Sequence, residues 1–147
     1  MPKDLPAPRG KHDLRFTFSQ WDRVWETSIP LPESPFGQDT LKVVVEDGTA
    51  WDFVRDDELA LVDRVLDWLP ELLPVIIQKL RAQHESLEDA QAFRKVFNQA
   101  SIWLSDRDER PRKSWTFVIE RLAFEGDNFG VNLRFIEKDF QDMFAGD

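Results

Sequence analysis

Two regions of period-2 hydrophobicity enclose a long stretch whose apolar residues recur every three or four positions, and this change of period limits the fold most. Leu59, Val62, Leu66, Leu69, Leu73, Ile76 and Leu80 share one side of a helix, because 3.6 residues per turn bring i, i+3, i+4 and i+7 onto one face. Such a stripe must be covered, and strands on both sides of it in sequence offer the surface. Asp56, Asp57 and Glu58 stand at its start, where the positive end of the helix dipole favours carboxylates. Pro70 and Pro74 interrupt it, and an interior proline removes a backbone hydrogen bond and crowds the preceding turn. The pattern predicts a kink or break near Leu69, with Pro70 opening a second short helix.

A further helix is expected just after Ser86, because Ser86-Leu87-Glu88-Asp89 resembles a capping box. Its buried stripe would be Leu87, Ala90, Phe93, Phe97, Ala100 and Leu104, ended by the charged, proline-containing loop Ser105 to Lys113. Before the helices, Leu14, Phe16 and Phe18 alternate with polar residues, as do Trp25, Thr27, Ile29 and Leu31, and Leu41 to Glu46 is rich in valine. These read as three strands, the last two paired as a hairpin across the turn-like segment Glu33 to Asp39. After the helices, Trp115-Phe117-Ile119 and Phe129-Val131-Leu133-Phe135 alternate on either side of Gly126-Asp127-Asn128, a second hairpin. The tail, with Phe140, Met143 and Phe144, fits a short helix or a final strand. The fold class expected is α+β: an antiparallel sheet built from N-terminal and C-terminal strands, with two or three helices packed on one face. With 147 residues, 41% of them hydrophobic, the chain can form one core. Residues 1–12 read as a flexible leader and 13–147 as a single domain.

Chemistry-bearing patterns are sparse. The absence of cysteine rules out disulfides, a thiolate nucleophile and cysteine-based zinc sites. His12 and His84 are the two histidines. His84-Glu85 begins like a zinc-protease motif, but Glu88 stands where the second histidine is required. Neither a phosphate-cradling glycine loop nor a nucleophile elbow occurs. No cofactor, metal site or set of catalytic residues is assigned, and an enzyme is the minority reading.

Charge points elsewhere. A formal charge of -9 with pI near 4.7 opposes nucleic acid and anionic membranes as partners and favours a basic protein. No apolar run approaches the roughly 20 residues of a membrane-spanning helix, so the expected compartment is the cytoplasm. The acids concentrate between Glu46 and Asp67, eight of them against two bases. The candidate partner-binding residues are Trp51, Asp52, Phe53, Asp56, Asp57, Glu58, Asp63 and Asp67, aromatic anchors ringed by one sign of charge. The competing account is ordinary helix-start and solubilising charge, with Asp63 and Asp67 on a solvated helix face. Two other classes stay open: a metal-dependent hydrolase using the same carboxylates, and a self-associating module that forms a homodimer through a sheet edge or aromatic patch.

The run from Trp25 through the Phe36-Gly37 turn, the Leu41–Val45 strand and the Leu59–Leu80 stretch resembles small uncharacterised bacterial domains of the polymorphic-toxin immunity type. The resemblance covers residues 21–83 and rests on the order of elements. It implies a noncatalytic intracellular protein that neutralises a basic toxin by occupying it. It carries no functional residues over.

Overall fold

A computed structural model describes residues 8–19, 23–46, 54, 56–83, 91, 93–94, 97–104, 113–122 and 130–146. Its elements are β1 (Thr17–Ser19), β2 (Val24–Pro30), β3 (Thr40–Glu46), α1 (Asp56–Gln83), β4 (Phe97–Leu104), β5 (Ser114–Leu122), β6 (Gly130–Ile136) and β7 (Asp139–Gly146). All seven strands form one sheet in sequence order, β1 to β7. Neighbours are antiparallel except β3 and β4, which are parallel, with Val43 opposite Ile102 and Val45 opposite Leu104. A parallel pair needs a crossover that returns the chain to the same end of the sheet. The connection that contains α1 supplies it.

The expected antiparallel sheet with two or three helices is therefore corrected to a mixed seven-stranded sheet and one long helix. Two errors of reading account for this. Phe97, Ala100 and Leu104 fit a helical spacing, but Ala100, Ile102 and Leu104 also alternate, and it is the alternation that the sheet uses. All three are buried, while Trp103 on the opposite face is partly exposed. Gln99 takes a φ of 60°, and across it the core-facing residues change from odd to even numbers. Helical backbone also occurs at Gln91, Phe93 and Arg94, whereas Ser86 to Ala90 lie outside the described residues.

The prolines are the second error. α1 runs for 28 residues with Pro70 and Pro74 inside it. Both prolines are exposed, so their rings stand away from the core, and the backbone donors they lack would have served the carbonyls of Leu66 and Pro70. The other side buries nine apolar residues: Leu59, Leu61, Val62, Val65, Leu66, Leu69, Leu72, Ile76 and Leu80. Leu73, expected on the stripe, is only partly buried and packs beside the core.

These side chains meet one face of the sheet, with Leu41, Val43 and Val45 from β3, Ala100, Ile102 and Leu104 from β4, Trp115, Phe117 and Ile119 from β5, and Val131, Leu133 and Phe135 from β6. Trp115 stacks on Phe135 at 4.5 Å and donates its indole N–H to the Glu137 carbonyl at 2.7 Å. The turn between β2 and β3 contributes as well. Phe36 is fully buried against Phe93 and Phe117, its N–H donates to Ser34 Oγ at 3.0 Å, and the Gly37 N–H donates to the Phe97 carbonyl. The tail left open between helix and strand is the strand β7, and Gln141 is the extra residue where its register with β6 shifts. Among the described residues, no helix is long and apolar enough to cross a membrane.

Candidate functional site

The acidic residues of α1 are met by the chain's own N-terminal segment. Arg9 and Leu14 exchange two backbone hydrogen bonds at 2.8 Å each, and the Asp13 N–H donates to the Gly10 carbonyl at 3.2 Å. A tight turn results, with Gly10 at φ 75° and Asp13 at φ 52°, the left-handed region that glycine enters without steric cost. Leu14 and Phe16 then enter the core and fix the far end of the turn.

The turn lies along the helix. The Lys11 backbone N–H donates to Asp63 Oδ2 at 2.9 Å, the Lys11 ammonium donates to Asp67 Oδ2 at 2.9 Å, and His12 Nε2 lies 3.0 Å from Asp67 Oδ1. Asp63 and Asp67 are four residues apart, so they stack on one helix face and can hold successive residues of one turn. Arg9 reaches over the start of α1, donating to the Val54 carbonyl at 2.6 Å and pairing with Asp56 at 3.2 Å. The approach at Gly10 is close: a Cβ there would lie 2.5 Å from Asp63 Oδ2 and 3.0 Å from Oδ1.

The electrostatics follow from these contacts. The hydrogen bond from Lys11 holds the Asp67 carboxyl below the usual carboxylate range; desolvation opposes this, and His12 adds to the lowering. The same bond raises the Lys11 ammonium. Both partners remain substantially exposed, at 69% and 36% of their side-chain surface, so solvent screens the attraction.

The sequence-predicted site residues divide. Asp63 and Asp67 sit together under the turn, Asp56 lies at the helix start beside Arg9, and Asp57 is exposed next to it, accepting the Glu58 N–H at 2.9 Å. Glu58 is turned inward, 2% exposed. Trp51, Asp52 and Phe53 lie outside the described residues, as do His84, Glu85 and Glu88. Sequence reasoning missed Arg9, Gly10, Lys11 and His12, which it placed in a leader. Their signal was a glycine within a short basic run of an otherwise acidic chain.

This arrangement receives positive side chains and a backbone N–H on a row of carboxylates. Among the described residues, no group of three or more His, Cys, Asp or Glu side chains is placed to hold a metal ion. No family model, curated protein or solved structure matches the chain.

Proposed function

We propose that the chain is a noncatalytic cytoplasmic binding protein that takes a basic segment of a protein partner on the acidic face of α1, the part an immunity-type protein plays toward a toxin. One observation carries this reading: the face already holds a basic segment, with Lys11 on Asp63 and Asp67, His12 on Asp67 and Arg9 on Asp56. The formal charge of -9 supports it, since opposite charge speeds the encounter of two proteins. The test is capture from the native host at low and high salt, with full-length chain and with an Asp63→Asn, Asp67→Asn double variant as bait. A basic protein should co-purify at low salt and be lost at high salt and with the variant. Recovery of the bait alone under every condition counts against the reading.

Self-association has an observation of its own. β7 ends the sheet, and Phe144 on its outer face is 45% exposed, with the Arg134 guanidinium 5.1 Å above its ring. The edge is shortened as a pairing surface by the irregularity at Gln141, a common means of protecting sheet edges. Sedimentation over a concentration series separates the readings, because a homodimer would change its sedimentation coefficient with concentration.

A further inference from the structure

We infer that the turn Arg9–Leu14 is the resident occupant of the acidic face, that a partner's segment binds by exchange with it, and that the face selects a glycine-led basic turn over positive charge alone. This rests on the reading of α1 as a binding face and adds its regulation and the shape of what it binds.

The contacts are of an exchangeable kind. From Arg9 to His12 the turn meets α1 through exposed polar groups, each screened by solvent and individually weak, and Arg9 adds one part-buried hydrogen bond to the Val54 carbonyl just before the helix. Two residues later the attachment changes character, with Leu14 at 2% and Phe16 at 4% exposed. The turn can therefore leave the helix while the chain beyond it stays packed. Because it is tethered, it competes at an effective concentration of about millimolar, the range for a short linkage.

Selectivity arises from two contacts that a general attraction of charges does not use. The Lys11 main-chain N–H donates to Asp63 Oδ2 at 2.9 Å, so the backbone itself must come down onto the helix. Gly10 makes that approach, at a φ of 75° and with no room for a Cβ beside the Asp63 carboxylate. A lysine immediately after the glycine then reaches Asp67, and the next residue meets its other oxygen. Asp63 Oδ1, buried beside Gly10, accepts no hydrogen bond from the described residues. A competing turn with one more donor at this point would gain a contact that the resident turn does not make.

The experiment titrates isotope-labelled full-length chain with a synthetic peptide of residues 8–13, Pro-Arg-Gly-Lys-His-Asp, and follows the amide shifts of Asp63 and Asp67. Gly10→Ala in the full chain should dislodge the resident turn and leave the carboxylates in place, raising peptide affinity about tenfold or more. Lys11→Glu, which repels the turn without touching the close contact, should do the same and covers the case in which Gly10→Ala does not fold. A peptide with alanine in place of its glycine should not saturate either variant. Equal affinity of the unaltered chain and both variants overturns the exchange, and equal binding of the alanine peptide overturns the selectivity. If no form binds the peptide while the double-carboxylate variant still loses a captured basic protein, this inference fails and the binding reading stands. If that capture is absent as well, both fail.

Discussion

Asp67 is one of two carboxyls among the described residues held below the usual range by a basic partner, and the sign of that shift bears on the pH range over which the turn stays on the helix. Its carboxyl is lowered chiefly by the Lys11 hydrogen bond. A carboxyl lowered below its unfolded value of about 3.9 contributes stability above that value, lost as pH falls through the depressed one. Lys11 is raised above its ordinary value of about 10.4, so its contribution is present below that and lost as pH rises through the raised value. The contact is thus intact between about pH 4 and about pH 10. Carbon-13 titration of the Asp67 side chain should give a midpoint below about 3.9, and Lys11→Ala should return it toward that value. A midpoint at or above it in the unaltered chain would mean that Lys11 does not reach Asp67. At this scale the carboxylates were legible, because helical spacing alone puts Asp63 and Asp67 on one face. Their partners were not, because Lys11 and Asp67 are 56 positions apart and nothing local in a Gly-Lys-His run says what it will meet.

At the scale of elements, α1 demonstrates which of two effects prevails. Two interior prolines cost roughly 3 kcal/mol each relative to alanine. The nine apolar side chains buried by the helix are worth roughly 1.5 to 3 kcal/mol each, so the helix continues through both. Pro74→Ala should restore a backbone donor at an exposed position and stabilise the fold by about 1 to 3 kcal/mol, after the opposing gain in unfolded-chain entropy, as read in urea melts. A neutral or destabilising result would show that Pro74 is not held in regular helix. The same melts can test the helix face. Leu72 is buried and Leu73 only partly so, so Leu72→Ala should cost about 2 to 5 kcal/mol and Leu73→Ala less. The sequence stripe chose Leu73 because it counted strict spacings of three and four, whereas a helix packed on a broad sheet buries a wider arc. β4 was misread for a related reason: Phe97, Ala100 and Leu104 satisfy a helical template, and only the strands on either side of it, β3 and β5, decide for the strand. Phe36 was similarly hidden, since its surroundings have the composition of a turn and its burial depends on Phe93 and Phe117.

For the whole molecule, sequential strand order is the simplest way to build a wide sheet. Its one parallel pair, β3 with β4, requires a crossover, and α1 lies in that connection, so the helix that carries the acidic face is also the cover of the core. Charge on that helix therefore bears on stability as well as on recognition. Two salt effects oppose each other. A net charge of -9 repels itself in the compact state, over distances that a Debye length of roughly 30 Å at 0.01 M leaves unscreened and one of roughly 8 Å at 0.15 M cuts off. The favourable pairs, such as Lys11 with Asp67 at 2.9 Å and Lys138 with Glu71 at 2.7 Å, are shorter than either length and lose less of their attraction. Raising ionic strength over this range should therefore increase stability, seen as a higher urea midpoint with unchanged slope. Urea suits the measurement because, unlike guanidinium, it adds no ions. A midpoint that falls instead would mean that the exposed pairs outweigh the self-repulsion, and the acidic face would then be held together by its own cations rather than strained by its carboxylates.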